Sequence, residues 1–564
     1  MGIRIPIGYD SFEDIRRNGS YYVDKTGLLW ELFHESDSQV TLFTRPRRFG
    51  KSLNISTLEC FLNIRKDSKE LFEGLEVTQH KEFCAEWMNS SPVISLSLKD
   101  AAALTFRSAY AMLKAIIAET CLIVGFLEHH EFVDPYDVEV FRRLRAKTAT
   151  DEEVRESLRT LTRMMHAAYG RPCVLLVDEY DVPLAKASQQ KEAGERYYPQ
   201  MLEVIRGLMS SALKSNPWLD KAIITGCLRM SKESIFTGVN NFASYSVLDK
   251  RFSRYFGFTH AEVEDLLVAA GLEKKAGLFR DWYDGYVFGS ERVFCPWDVA
   301  NYASALIADD DALPQNYWRN SSGNGVVREL ASFASLDVSE KLETLMNGGT
   351  ITQRVSDQLT YDTMLQTEEG LWSVLVMTGY LSKADPTQVG DTVALRIPNR
   401  EVAGIFQSEV MELFAQSLDT TLQDALMEAL WSGDEAGASD AMSGLLWDTI
   451  SYHDYGEDYY HAFLAGVFVG RGYGVDSNRE HGLGRPDIFL TDRRRRRALI
   501  IEAKRSTSAS SMEHDCMEAV KQIDTRAYAR RLHGYRTVLC YGVAFYKKDA
   551  LVRKTPQSTS QGEL

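Results

Sequence analysis

The sequence predicts an α/β protein in two parts: a parallel sheet with helices on both faces, then a second α/β domain near the C-terminus. Three observations carry that prediction. Short apolar runs, "QVTLFT" (39–44), "PVISLSL" (92–98), "CVLLV" (173–177) and "KAIITG" (221–226), alternate with stretches of helical spacing, as parallel strands buried on both faces require. The loop "RPRRFGKS" (45–52) joins the first run to the helical "SLNISTLECFLNI" (52–64). Far downstream, "GRPDIFLTDRRRRRALIIEAKRS" (484–506) reads as two apolar strands around an arginine-filled hairpin.

Length and composition bound the reading. A chain of 564 residues is too long for one ordinary core and predicts two to four domains. It is 45% hydrophobic and 25% charged, as a globular protein should be. A formal charge of −15 argues against nucleic acid coating the whole chain, while local basic patches can still bind phosphates. Eight scattered cysteines without CxxC spacing predict free thiols in a reducing compartment. The opening "MGIRIPIGYD" lacks the apolar core of a signal peptide, and no run is long enough to span a bilayer. The expectation is a cytoplasmic protein with no membrane partner.

The loop 45–52 sits between strand and helix, the context a phosphate-binding P-loop needs. There Gly50 lets the backbone approach phosphates, Lys51 reaches the β and γ oxygens, and Ser52 offers its hydroxyl to Mg²⁺. The rest of the candidate nucleotide site is Arg45, Pro46, Arg47, Arg48 and Phe49, with Arg45 standing where a P-loop normally has glycine. The run "CVLLVDEYDVP" ends a buried-type strand in Asp178 and Glu179. An acidic pair at that place serves ATP hydrolysis: Asp178 holds Mg²⁺ through water and Glu179 polarises the attacking water. Thr225 ends the next strand, where a polar residue senses the γ-phosphate. Arg229 is either a charge sensor or an ordinary surface arginine.

In the C-terminal hairpin, Asp487 opens the first strand, and Glu502 and Lys504 lie near the end of the second. Period two puts Glu502 and Lys504 on one face, and antiparallel pairing brings Asp487 close to Glu502. Two carboxylates there suit a hard divalent cation, and the lysine beside them can act on water or developing charge. Glu457 and Glu480 are candidate additional carboxylates, with a helix-terminal acid as the alternative for Glu457. Gln522, on an expected helix 518–529, could reach phosphate or a metal-bound water. The arginines 493–497 are either a solvated hairpin tip or a finger that tracks phosphates.

With these residues in view, the chain resembles a bacterial family of AAA-ATPase-like proteins with a C-terminal PD-(D/E)XK nuclease-like domain. The resemblance rests on "PIGYDSFEDIRRNGSYYVDKTGLLWELF", "LFTRPRRFGKSLNISTLECFL", "LLVDEYDVPL", "SKESIFTGVNNF", "WYDGYVFG", "PWDVANY" and "YWRNSSGN". In that family the arginine-rich P-loop is the ordinary form, and Asp487, Glu502 and Lys504 match the three nuclease signature positions, with Pro486 before them. The resemblance implies a P-loop sheet (1–255), a helical lid and winged-helix-like region (256–415), a nuclease-like domain (416–555) and a tail (556–564). The winged-helix likeness rests on "GLWSVLVMTGYLSKAD" followed by "VALRIPNREV". The expected cofactors are ATP and Mg²⁺, with Mn²⁺ able to substitute. The expected partner is nucleic acid, DNA favoured over RNA, and the ATPase part could form homo-oligomers. The rival expectation is a nucleotide-dependent switch whose nuclease-like domain binds nucleic acid or protein without cutting.

Overall fold

The structure, a computed structural model, describes residues 3–189, 197–230, 235, 236, 238, 239, 241–318, 336–359, 364, 367–388, 390–406, 420–449, 460, 463, 464, 467, 468, 474–476, 487–492, 495–526, 535–555, 559 and 560. It divides into two compact units, one of residues 1–322 and 352–402, the other of 323–351 and 403–564.

The first unit is organised by five strands: β1 (Val40–Thr44), β2 (Val93–Ser97), β3 (Cys173–Asp178), β4 (Leu219–Gly226) and β5 (Phe242–Tyr245). They lie in the order β2–β3–β4–β1–β5, and every pair is parallel. All residues of β1 and β3 are buried, which explains why their sequences read as continuous rather than alternating apolar runs. Because β4 is inserted between β1 and β3, the ends of three strands converge on one side of the sheet. Helix α1 (Lys51–Leu62) follows β1. Helices α2 (Phe106–Ile123), α3 (Pro135–Arg145) and α4 (Asp151–Tyr169) lie between β2 and β3, and α5 (Tyr198–Leu213) precedes β4. Their ends are written locally: Thr150 and Glu153 form a reciprocal cap at the start of α4, and Gly170, at φ 68°, ends it.

The same unit continues into helix α6 (His260–Ala270), an antiparallel pair β6 (Tyr286–Phe288) and β7 (Glu291–Phe294), and helix α7 (Pro296–Ala308). The resemblance implies a helical lid here. The aromatic stretch "YVF" instead forms a strand, as β-branched and aromatic side chains on a pleated, covered surface do. Phe279, Tyr283, Phe294, Val299, Tyr302 and Leu306 build its core, against which Ile5 and Tyr21 of the N-terminal segment pack. Helix α8 (Glu368–Thr378) is followed by two short antiparallel strands, β8 (Ser382–Lys383) and β9 (Thr392–Arg396), as "GLWSVLVMTGYLSKAD" and "VALRIPNREV" predicted.

In the second unit, helices α9 (Thr420–Ser432) and α10 (Glu435–Thr449) precede a mixed sheet. Its strands are β10 (Gly474–Asp476), β11 (Ile488–Asp492), β12 (Arg497–Arg505), β13 (Thr537–Tyr546), β14 (Asp549–Lys554) and β15 (Thr559–Ser560). The order is β10–β11–β12–β13–β14, with β15 also on β13. The β11–β12 hairpin is antiparallel, β12–β13 is parallel, and helix α11 (Met512–Arg526) makes the crossover. Period two divides the side chains cleanly. Ile488, Leu490, Leu499 and Ile501 pack with Leu426, Leu430 and Leu445 of α9 and α10. Phe489, Ala498 and Ile500 turn to the other face and meet Ile523 of α11.

Candidate functional site

At the end of β1 the chain turns through 45–50 and enters α1 at Lys51. Two residues make the turn possible: Gly50 at φ 84° and Arg48 at φ 71°. The latter is a left-handed non-glycine conformation costing on the order of 1–3 kcal/mol. The Lys51 ammonium is buried inside the loop, donating to the carbonyls of Arg45 (2.9 Å) and Pro46 (2.8 Å). Ser52, at the first turn of α1, donates its hydroxyl to Asp178 Oδ2 at 2.6 Å. Thr225, from the intervening β4, donates to the other oxygen, Asp178 Oδ1. Its oxygen also accepts the Glu179 N–H at 3.4 Å. Three strand ends thus bring Lys51, Ser52, Asp178, Glu179 and Thr225 together, as their sequence positions implied.

Glu179 stands at the tip of β3 with φ 53°, a second strained non-glycine residue. Burial pushes its carboxyl above the usual carboxylate range, aided by the negative charges of Asp178 and Asp181 and opposed by Lys51 and Arg47. Asp181, three residues beyond Asp178 in the same motif, has a structural part. It is buried, and its Oδ2 accepts N–H bonds from Cys227 (3.0 Å) and Leu228 (2.9 Å). Tyr180 Oη donates to the Leu228 carbonyl at 2.8 Å. Residues 180 and 181 therefore pin the turn that follows Thr225. Gly226 permits it, since a Cβ there would stand 2.7 Å from Asp181 Oδ1.

A cavity of about 530 Å³ opens beside this loop, with Arg47 to Asn54 and Glu179 on one side. Gly8, Tyr21, Phe258 and Trp297 contribute to its other walls. Nothing in the spacing of these wall residues ties them to the loop, because they reach it from distant segments. Arg45 and Pro46 are not among the lining residues. Arg229 pairs with Asp357 at 3.3 Å, through a short parallel pairing of 229–230 with 358–359. The donor set of Ser52 and Asp178 consists of oxygens alone and fits a hard divalent cation such as Mg²⁺. Lys51 and the N-terminus of α1 fit an anion.

In the second unit the β11–β12 register pairs Ile488 with Ile501, so Asp487 stands opposite Glu502. Asp487 Oδ2 accepts the Ala503 N–H at 2.8 Å. Glu502 is 1% exposed, and Gln522 of α11 donates its amide to Glu502 Oε1. Lys504 follows two residues along the same strand face. Asp487, Glu502, Lys504 and Gln522 are therefore gathered on the face covered by α11. Two carboxylates suit Mg²⁺, which keeps several waters and takes one or two carboxylates. Among the described residues no group of three or more His, Cys, Asp or Glu side chains forms a metal cluster. Glu457, Glu480, Pro486, Arg493 and Arg494 lie outside the described residues. At the hairpin, Arg497 pairs with Asp492 at 3.0 Å and lies 4.0 Å over the Trp431 ring, while Arg495 and Arg496 are exposed.

A strand–loop–helix phosphate site, with an acidic strand tip one strand away, defines the class of P-loop NTPases. The second sheet, with its Asp…Glu-x-Lys face, has the arrangement of a nuclease-like domain. Comparison with known proteins agrees. Residues 6–236 match the family model described as "Predicted AAA-ATPase", and residues 455–555 match that of the "PD-(D/E)XK nuclease superfamily". Residues 6–236 are thus similar to the first family and residues 455–555 to the second. Such families generally use a nucleotide and a divalent metal. Among curated proteins, the chain is 31% identical over 305 residues to an "Uncharacterized protein in vnfD 5'region" of Azotobacter chroococcum mcd 1. That alignment covers 52% of this chain and 51% of the relative, so the match spans about half of each. No solved structure matches. Among the described residues, no helix is long and apolar enough to cross a membrane.

Proposed function

We propose that the protein is an ATP-hydrolysing, Mg²⁺-dependent nuclease that cleaves phosphodiester bonds of nucleic acid, DNA in preference to RNA, in the cytoplasm. The observation that carries this reading is the convergence of Asp487, Glu502 and Lys504 on one sheet face. Asp487 and Glu502 would hold the cation, which supplies Lewis-acid stabilisation of a phosphoryl oxygen when bound. Lys504 orients water or offsets charge on the reacting phosphate. Gln522 fixes the Glu502 carboxylate. In the first unit, Lys51 and the α1 N-terminus bind the β and γ phosphates. Ser52 and Asp178 hold Mg²⁺, Thr225 orients Asp178, and Glu179 takes the proton of the attacking water. Its buried carboxyl is a stronger base than an exposed one. Incubation of the purified chain with linear, circular and single-stranded substrates, with Mg²⁺ and with or without ATP, tests the reading. Mg²⁺-dependent cleavage that ATP alters supports it.

A second reading, a nucleotide-dependent binding module that does not cut, draws on one observation. Glu502 and Asp487 each already accept a hydrogen bond from within the fold, from Gln522 and from the Ala503 N–H. Retention of nucleic acid without cleavage in the same experiment would select it.

A further inference from the structure

Three arginines stand in the phosphate-binding loop, and their side chains go three separate ways. Arg45 is fully buried, and its Nη1 donates to the carbonyls of Thr44 (2.9 Å) and Tyr245 (2.8 Å). Its guanidinium lies 4.9 Å from the Phe256 ring centre. That side chain braces the loop against β5 and does not line the cavity. Arg48 lies 4.0 Å over the Trp297 ring, while Gly8 approaches that indole so closely that a Cβ there would be 3.4 Å away. It ties the loop to α7 and to the N-terminal segment.

Arg47 turns toward the acidic strand tip. Burial opposes its charge, and the nearby Cys227, Glu179 and Asp181 outweigh that effect and favour the protonated guanidinium. The Cys227 sulfur lies 3.9 Å from Lys51 Nζ, so Arg47 and Lys51 share one neighbour just beyond Thr225 at the end of β4. Arg47, Lys51, Ser52 and Glu179 all line the same cavity. Arg47 thus shares the cavity with Lys51, the residue assigned to the phosphates, and has no carboxylate ion pair among the described residues.

We propose that Arg47 is a catalytic residue of ATP hydrolysis, a cation supplied by the P-loop itself to the γ-phosphate. The inference rests on the ATPase reading above and assigns the charge that reading leaves open. In the step it serves, the water oxygen bonds to Pγ. The bond from Pγ to the β,γ-bridging oxygen breaks, and its electron pair leaves on ADP. The water proton passes to Glu179 and then to the phosphate released. Arg47 donates N–H bonds to the γ oxygens, on which charge is spread as that bond breaks.

The test compares wild type, Arg47→Ala and Arg47→Lys for ATP turnover, for binding of a fluorescent ATP analogue, and for trapping of ADP with aluminium fluoride. Arg47→Ala should lower kcat roughly 10³-fold, the scale of an arginine supplied to a γ-phosphate. Analogue binding should stay within about threefold, because a group that acts in the transition state changes kcat rather than ground-state binding. Arg47→Lys should recover only part of the rate, since an ammonium cannot span two oxygens in a plane. Both variants should lose aluminium-fluoride trapping. Wild-type kcat in Arg47→Ala, or loss of binding equal to the loss of kcat, overturns this inference alone. A wild-type chain that binds ATP and never hydrolyses it overturns the ATPase reading with it.

Discussion

At the scale of single residues, Lys51→Ala should abolish ATP turnover and weaken nucleotide binding, since a cation held at the loop's centre is removed; wild-type hydrolysis in that variant would disprove the proposed site. Gly50, Lys51 and Ser52 were legible because strand, loop and helix are contiguous, so spacing alone sets their geometry. Asp178 and Glu179 were legible because an apolar strand must end where charge begins. Arg45 was not, because its fate depends on Tyr245 and Phe256, some 200 residues away. Nor was the pairing of Arg229 with Asp357, which no local pattern announces. Glu179→Gln should retain ATP and lose turnover, measured as binding without phosphate release. Because burial raises the Glu179 carboxyl, the acid limb of kcat should lie above the usual value of about 4.3. Turnover falls as pH drops through that limb, and an ATPase profile flat down to pH 4 would contradict the assignment.

At the scale of elements, the sequence conveyed strands and helices better than their neighbours. Every run expected in the parallel sheet is a strand, yet nothing local says that β4 inserts between β1 and β3. That insertion is what carries Thr225 to Asp178. Helix α7 illustrates the opposite case, a feature invisible in sequence. Its Asp298 is fully buried, as is Glu401, whose Oε1 accepts the Trp318 N–H at 2.7 Å. Burial and the neighbouring Glu401 charge raise Asp298 well above its ordinary value, against the nearby charge of Arg48, and burial raises Glu401 as well. A carboxyl whose folded pKa is raised keeps its proton while the unfolded chain has lost it. Stability therefore falls as pH climbs from about 4 toward the folded value. Asp298→Asn should flatten the decline of Tm between pH 5 and 8, and an unchanged slope would count against the protonated pair. The arginine hairpin yields a separate expectation. Arg497 is structural, held by Asp492 and Trp431, whereas Arg495 and Arg496 are exposed. Neutralising the exposed two should weaken nucleic-acid binding and flatten its salt dependence by roughly one unit of slope per lost phosphate contact. An unchanged slope would make the tip merely solvated.

One chain carries a match to an AAA-ATPase family model and a match to a nuclease-superfamily model, and the proposal is that the first part controls the second. ATP should then change cleavage rate or product pattern, and nucleic acid should change ATP turnover. Linkage makes the binding effects reciprocal, though the rates need not respond equally. Lys51→Ala in the full chain should remove the ATP effect on cleavage; an effect that persists would separate the two activities. The candidate site in the hairpin is the part most fully written in sequence, because a hairpin fixes its own register: once Asp487 and Glu502 are seen, antiparallel pairing places them opposite each other. The helix that supplies Gln522 could be read, but not that its amide would meet Glu502. The most direct measurement is Mg²⁺-dependent cleavage of duplex DNA by wild type and by Asp487→Asn, with the fold of each checked by circular dichroism. Asp487→Asn removes one formal charge from the cation site at nearly constant volume. The account predicts cleavage by wild type and its collapse in a folded variant; full cleavage by Asp487→Asn, or none by wild type, would contradict it.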